Sequence, residues 1–380
     1  MPSDSPLPDE AWLNALSSLP DMGPARLRAL LADRQPEQAW KVCLQGKPLP
    51  EVEAVVGGRL LALTAAWAKA AGQLSVGELW SQLTNHGVQV IGRGHAEYPA
   101  CLRDDPDPPL VIFAQGDLQA LAPAPRVAIV GTRRCTRYGT EVAYELGKTL
   151  TAAGVSVVSG LALGIDAAAH AGALAVKAEG QPPVAVVATG LDVIYPKTNR
   201  ALWRQIAERG LLVSECPLGT TPAPWRFPAR NRIIAGLADA VVVVESHEKG
   251  GSLYTVDAAI ERQRPVFAIP GPIRSPASRG TNQLLADGAI PLCQVSDLLE
   301  QLPQGGLFID EPPPPPVRAL LAPQQEQVLE AMGWEPVSLN ALADCCGLSP
   351  VDLSAALSAL VRSGWVTVER GFYERMSNTT

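Results

Sequence analysis

The sequence contains few of the residues on which metal sites, disulfide frameworks and acid–base catalysis depend. It has four histidines and seven cysteines among 380 residues, and no two cysteines form a CxxC pair. An odd number of cysteines without histidines at ligand spacing is typical of free thiols in a reducing compartment. We therefore expect no metal and no cofactor, and histidine-based catalysis becomes a weaker hypothesis.

Long apolar runs are also missing. None approaches the roughly 18 residues that a membrane-spanning helix needs, and the N-terminal segment MPSDSPLPDE is acidic and lacks the apolar stretch of a signal peptide. Hydrophobic residues nevertheless make up 47% of the chain, which is too many for a disordered protein. These features predict a cytoplasmic protein with no membrane partner.

The chain also lacks an overall excess of positive charge. The chain has 31 Lys and Arg against 38 Asp and Glu, a net charge of −7, which argues against a polybasic nucleic-acid binder. The positive charge is concentrated in the middle of the sequence, where residues 126–138 hold four arginines and no acid. Residues 197–232 hold seven basic residues and two acids, whereas residues 317–380 hold four arginines and seven acids. An anion-binding site is therefore expected in the middle of the chain.

The length predicts two or three domains, at roughly 150 residues each. Residues 1–84 have helical periodicity and predict a domain of the SAM or helix-hairpin-helix type, whose Met22-Gly23-Pro24 turn either meets a phosphate or only forms a corner. Residues 85–308 alternate short β-branched runs with helical segments, which is typical of an α/β protein with a Rossmann-like, doubly wound sheet. A proline-rich linker at 309–320 then precedes a winged-helix domain at 321–380, predicted from three helices and a following strand.

Four loops of the predicted sheet domain carry glycines or clustered charges. They are Gly131–Gly139, Ser159–His170, Ala188–Arg200 and Phe227–Arg232, and a Gly250-Gly251-Ser252 turn comes later. None has the GxGxxG fingerprint of dinucleotide-binding proteins, but such loops lie where open α/β sheets bind ligands, and Gly250–Ser252 could cradle an anion. Asp166 and His170 share a helix face and could do acid–base chemistry, although internal capping and packing explain them better.

Aromatic residues are interspersed with the basic residues of these loops. Tyr195, Trp225 and Phe227 lie among arginines and a lysine. Basic residues that follow a phosphate backbone, with aromatic rings on which bases stack, are what single-stranded DNA binding requires.

Several of these motifs together resemble one family, the DNA processing protein A (DprA/Smf) family of recombination mediators in natural transformation. The motifs are Tyr98–Leu102, Val127–Arg133, Val158–Asp166 with His170, Gly190–Lys197, Ser214-Glu215, Phe227–Leu237, Gly250–Ser252 and Pro270-Gly271. They span about residues 95–300. One departure is Thr132, where the family usually has serine, and it keeps the hydroxyl.

The resemblance implies a protein without enzymatic activity that binds and protects single-stranded DNA and helps to load the RecA recombinase. It also implies a homodimer formed through the Rossmann-like domain. Carried over to this sequence, it gives a DNA- or phosphate-binding site of Gly131, Thr132, Arg133, Arg134, Ser159, Gly160, Lys197, Arg200, Phe227, Arg230, Asn231, Arg232, Gly250, Gly251 and Ser252.

Two alternatives come from other classes. A nucleotide-binding enzyme resembling phosphoribohydrolases of the lysine-decarboxylase-like group has the same sheet layout, but the turn Gly250–Thr255 lacks that group's Gly-Thr and following carboxylate. Release of base from a nucleoside monophosphate, dependent on Asp166 or Glu261, would favour it. A winged-helix transcription factor is the other alternative, and the acidic balance of the C-terminal domain argues against it.

Overall fold

A computed structural model describes residues 7–176, 180–303, 321–333, 336–369 and 371–376. It divides into two compact units, Met1–Leu307 and Phe308–Thr380. The proline-rich linker predicted at 309–320 lies outside the described residues.

The first unit begins with six helices. They are α1 (Asp9–Ser17), α2 (Pro24–Leu31), α3 (Pro36–Gln45), α4 (Pro50–Val56), α5 (Leu60–Ala71) and α6 (Val76–Asn85). Proline occupies the first turn of three of them, where its fixed φ suits a helix start. Within the described residues, Pro50–Ala71 is long and apolar enough to span a membrane by length and composition alone. One such helix is weak evidence for a span, and Leu60 and Trp67 of this stretch pack into the core.

A mixed sheet of nine strands follows within this unit. Its strands are β1 (Gln89–Gly92), β2 (Val111–Gly116), β3 (Arg126–Val130), β4 (Ser156–Ser159), β5 (Val184–Val187), β6 (Leu211–Ser214), β7 (Ala240–Val243), β8 (Val266–Ala268) and β9 (Ile290–Pro291). Their order across the sheet is β1-β2-β6-β5-β4-β3-β7-β8-β9. Strands β3 to β9 are parallel, whereas β1 and β2 form antiparallel pairs at one edge. The order reverses between β3 and β7, so ligands are expected at the carboxyl ends of the strands near that point.

Helices cover both faces of the sheet. They are α7 (Ala100–Arg103), α8 (Arg137–Ala152), α9 (Ile165–Ala175), α10 (Arg200–Arg209), α11 (Arg226–Leu237), α12 (Leu253–Glu261), α13 (Arg279–Ala286) and α14 (Val295–Leu299). One face packs against α8, α9, α10, α14 and the six N-terminal helices, and the other against α7, α11 and α12. The Rossmann-like fold predicted from the sequence is therefore confirmed.

The N-terminal helices share their core with the sheet. Trp67 and Leu16 belong to the same buried cluster as Val111 and Phe113 of β2 and Val187 of β5. Because one core joins residues 1–84 to the strands, the structure does not separate them as a compact unit of their own. The boundary expected at residue 84 remains a prediction.

The second unit has the winged-helix arrangement predicted for it. Helices α15 (Pro323–Met332), α16 (Leu339–Cys346) and α17 (Pro350–Arg362) pack beside strands β10 (Val337–Ser338), β11 (Val366–Glu369) and β12 (Phe372–Arg375). Ser349 caps α17, because its Oγ accepts a hydrogen bond from the Asp352 N–H at 3.2 Å.

Candidate nucleic-acid interface

A cleft lies at the carboxyl ends of β3, β4 and β5, and we call it the strand-end cleft. Its lining includes Arg133, Gly160, Leu163, Tyr195, Phe227 and Arg230. These residues come from the first three loops singled out in the sequence and from the start of α11. Parallel strands deliver their loops to one edge of the sheet, which is why residues so far apart in sequence meet here.

The loop after β3 points Arg133 outward. The Thr132 N–H donates to the Glu245 carbonyl at 2.8 Å, and the Thr132 Oγ1 accepts from the Arg134 N–H at 3.2 Å. Gly131 has to be glycine, because a Cβ there would come within 2.7 Å of the Glu245 oxygen and 2.6 Å of Ile165. With its backbone held in this way, the loop leaves the Arg133 and Arg134 side chains exposed.

Three side chains form a stacked group beside the cleft. The guanidinium of Arg133 lies 5.0 Å from the centroid of the Phe227 ring. The Phe227 ring is 5.5 Å from that of Tyr195, with an angle of 39° between the planes. A guanidinium over a ring face is a favourable cation–π arrangement, so Arg133 is held in place while its remaining N–H groups stay available to an anion.

Positive charge continues from this group along the surface. Lys197 and Arg200 are exposed, and Arg200 begins α10. In the described part of the chain, neither these two nor Arg133 and Arg134 are joined to a carboxylate by an ion pair. A cation at a helix N-terminus is opposed by the helix dipole. Stability therefore does not explain Lys197 and Arg200.

The predicted donors of the loop after β4 are used within the protein. The Ser159 hydroxyl is fully buried and donates to the Ile129 carbonyl at 2.6 Å. The Gly160 N–H donates to the Asp166 carboxylate at 3.1 Å. Neither donor faces outward, because both close the turn between β4 and α9. Both donors shape the cleft, and their predicted contact with a phosphate stays a prediction.

The segment Phe227–Arg232 is a helix, and this changes what its polar residues do. Because α11 begins at Arg226, Arg230 and Asn231 turn inward. Arg230 donates to the carbonyls of Gly160 at 2.8 Å and of Val186, and its Nε donates to the Asn231 Oδ1 at 3.2 Å. Burial lowers the pKa of Arg230 to about 10, so it stays charged at neutral pH.

Arg232 is also engaged internally. Its Nη2 donates to both carboxylate oxygens of Glu215, at 2.7 and 2.6 Å, and its Nε lies 3.0 Å from the Asp107 carboxylate. Burial raises the pKa of Glu215, and the charge of Arg232 opposes that rise. Arg230 lines the strand-end cleft, whereas Arg232 is used in internal ion pairs. The expectation that residues 230–232 continue a DNA groove stays a prediction.

Several polar groups of the Gly250–Ser252 turn have hydrogen-bond partners within the protein. The Ser252 hydroxyl donates to the Ser246 Oγ at 2.9 Å, and the Gly250 N–H donates to the His247 carbonyl at 2.9 Å. The Gly251 carbonyl accepts from the Asn231 Nδ2 at 3.3 Å, and Gly251 itself is exposed. Gly251 is exposed and Gly250 partly exposed, whereas Ser252 is buried.

Asp166 and His170 have the internal role that the sequence favoured. Asp166 accepts hydrogen bonds from the N–H groups of Gly160 and Ala162; burial raises its pKa, and Arg230 opposes that rise. His170 is fully buried, and burial lowers its pKa from 6.5 to about 3, which leaves it neutral. No cluster of three or more His, Cys, Asp or Glu able to hold a metal occurs among the described residues.

Two residues that shape the strand-end cleft were not identified from the sequence. Asn199 donates to the carbonyls of Leu161 and Ala162, at 3.0 and 3.2 Å, and so holds the loop after β4 against the start of α10. Leu163 in that loop is 39% exposed and lines the cleft. A single aliphatic residue gives no sequence signal, although an asparagine just before a helix could have been noticed.

Comparison with known proteins identifies the family. Residues 89–303 match the model for DNA recombination-mediator protein A, and residues 311–368 match the DprA winged helix domain. The chain belongs to the DNA recombination-mediator protein A family. The predicted resemblance is confirmed, and a family of recombination mediators supports the prediction of a protein that is not an enzyme over the phosphoribohydrolase alternative.

Relatives of this chain cover most of its length. Protein Smf of Synechocystis is 34% identical over 97% of this chain and 99% of its own. The crystal structure of DNA processing protein A from Streptococcus pneumoniae matches 79% of this chain and 99% of its own, with 30% identity and a TM-score of 0.65. A solved structure of DNA processing protein A from Helicobacter pylori, described for its single-stranded DNA binding mode, matches 56% of this chain and 94% of its own, with 30% identity and a TM-score of 0.51.

Proposed function

We propose that this protein binds single-stranded DNA across the strand-end cleft as a recombination mediator. The observation that carries the proposal is the stacked group of Arg133, Phe227 and Tyr195 beside exposed Lys197 and Arg200. Arginine bonds phosphate oxygens in bidentate fashion, and lysine acts as a point charge. Aromatic rings accept stacked bases of any sequence. Both parts of the chemistry are present on one surface.

On the basis of their contacts, we assign the predicted site residues to a binding group and a supporting group. Arg133, Arg134, Lys197, Arg200 and Phe227 can reach a strand. Gly131, Thr132, Ser159, Gly160, Arg230, Asn231 and the Gly250–Ser252 turn hold the loops that present them. Arg232 ties α11 to Glu215 and Asp107.

Protection of the strand and loading of the RecA recombinase are further parts of the proposal, supported by membership of the family. Dimerisation through the sheet domain has the same support. A strand bound with its bases stacked and its phosphates paired is sheltered from nucleases, and a recombinase could then take it over.

The direct test is titration of fluorescent oligonucleotides, single-stranded and duplex, at several salt concentrations. We expect tight binding to the single strand, with little dependence on sequence. The slope of log affinity against log salt should be about −0.7 for each phosphate neutralised. Equal affinity for the duplex, or a response independent of salt, would contradict the proposal.

A further inference from the structure

A second and larger cleft lies beside the strand-end cleft, and we call it the helix-turn cleft. It has a volume of about 540 Å³, within the range of ligand sites. One wall is the turn between α1 and α2, including Ser18, Met22 and Gly23. The opposite wall is formed by the segments after β5 and β6 and by the start of α11. The helix-hairpin-helix-like turn noted in the sequence therefore faces a cavity instead of only forming a corner.

The two clefts are immediate neighbours. Val187, Ala188 and Arg230 line both of them. At the start of α11, Phe227 lines the strand-end cleft and Trp225 lines the helix-turn cleft. A DNA strand with one base stacked on Phe227 therefore has to pass only the start of α11 for its next nucleotides to contact Trp225.

The chemistry of the helix-turn cleft is aromatic and cationic. Trp225 is 62% exposed, and the guanidinium of Arg226 lies 4.4 Å from the centroid of its ring. Arg226 also donates to the Cys216 Sγ at 3.3 Å. An exposed indole beside a guanidinium is the arrangement that binds a base and its phosphate.

A second arginine comes from the opposite wall. Arg26 of α2 lines the cleft and donates to the backbone carbonyl of Asp21. The Nε atoms of Arg26 and Arg226 are buried and have no hydrogen-bond partner in the described part of the chain. The acids of the lining are Asp21 and Glu215, and Glu215 is paired with Arg232. Arg26 and Arg226 thus have hydrogen-bonding capacity that the protein itself does not use.

We propose that the helix-turn cleft binds one further nucleotide of the strand held in the strand-end cleft. The base lies against Trp225, and its phosphate is bound by Arg226 and Arg26. This inference rests on the proposed function, because it extends the path of the same strand. It also assigns a role to the N-terminal helices, which close the cleft over that nucleotide.

The test of this inference is to measure the affinity of the full-length protein for single-stranded oligonucleotides of different lengths. We expect Trp225→Ala and Arg226→Ala to weaken binding of a strand of roughly 12 nucleotides by about tenfold, and to leave that of a strand of about 3 nucleotides nearly unchanged. Trp225→Phe should retain most of the affinity because it keeps a ring. Tyr254→Ala removes an aromatic side chain of similar exposure, 56%, on α12, and Arg59→Ala removes an exposed arginine; both controls should bind as the unchanged protein does.

Photochemical cross-linking adds a readout of position. A strand carrying 5-iodouracil should cross-link to Trp225, and this cross-link should disappear for the short strand. If neither Trp225→Ala nor Arg226→Ala affects the long strand, and Trp225 is not cross-linked, the inference is wrong while the proposed function stands. If Arg133→Ala and Lys197→Ala also leave binding unchanged, the proposed function itself fails.

Discussion

Arg230 is a buried arginine whose guanidinium holds together the ends of two strands. It donates to the Gly160 carbonyl, just after β4, and to the Val186 carbonyl of β5. Arg230→Ala would leave both buried carbonyls unpaired and open a cavity. Since each unpaired group costs about 1–3 kcal/mol, we predict a loss of at least ~3 kcal/mol in the free energy of unfolding, measured with urea. Unchanged stability in this variant would show that Arg230 is not a structural residue; Arg59→Ala is the control.

His170 predicts a dependence of stability on pH. Its pKa is about 3 in the folded protein and 6.5 when exposed, so as the pH falls below 6.5 the unfolded chain takes up a proton that the folded chain cannot. Folding therefore loses stability between pH 6.5 and 3, by roughly 2 kcal/mol between pH 7 and 5 from this group. We predict that His170→Leu removes this contribution.

The measurement compares the slope of unfolding free energy against pH in the two proteins. Carboxyl groups with raised pKa values, such as Asp166 and Glu215, contribute with the opposite sign. Their contribution is common to both proteins and cancels in the difference. Identical slopes for His170→Leu and the unchanged protein would mean that His170 is protonated in the folded state.

At the scale of elements, α8 and α9 pack closely because glycines lie where they meet. A Cβ on Gly172 would collide with the Tyr144 carbonyl, and one on Gly147 would collide with that of Ala169. We predict that Gly172→Ala destabilises the protein by about 1–3 kcal/mol through overpacking. Gly77→Ala in α6 is the matched control, since its Cβ would meet nothing closer than 4.0 Å. It should be neutral or slightly stabilising, and equal effects of the two changes would contradict this account of the packing.

The strands of the sheet could be predicted from the sequence more accurately than helix α11. The runs 126–130 and 184–187 match β3 and β5 at both ends, because fully buried parallel strands are continuously apolar. Helix α11 was interpreted as a loop, since Pro228 and its charged residues hide the helical periodicity. Arg230 and Arg232 were assigned to DNA through the family resemblance, and the loop interpretation gave no indication that their side chains are engaged within the protein. Arg133 and Phe227 line the strand-end cleft and Lys197 is exposed, and their role in binding DNA stays a prediction.

The pairing of β1 and β2 was also beyond the sequence. Both are short apolar runs, and nothing in them distinguishes an antiparallel edge from a parallel centre. The shared core of the N-terminal helices and the sheet depends likewise on long-range packing of residues such as Trp67 against β2 and β5.

At the scale of the whole molecule, the two compact units differ in charge. Phe308–Thr380 carries four arginines and nine acids, and this unit has its own buried core. Its negative balance would repel a phosphate backbone. We predict that a chain ending at Glu311 folds and binds single-stranded DNA with near-native affinity. A loss of tenfold or more, about 1.4 kcal/mol, would show that the winged helix contributes to binding.

The central claim is that exposed side chains at the strand ends bind the DNA without supporting the fold. Its most direct test is the double variant Arg133→Ala with Lys197→Ala, compared with the double control Arg59→Ala with Lys69→Ala. Single-strand affinity and melting temperature are measured on the same preparation. Since each charged contact is worth about 1–3 kcal/mol, the account predicts that the double variant nearly loses its binding of single-stranded DNA. Arg133→Ala alone should weaken that binding more than Lys197→Ala alone. The melting temperature of the variants, and both the affinity and the melting temperature of the double control, should stay unchanged. A lowered melting temperature with intact DNA affinity in the folded protein would contradict it.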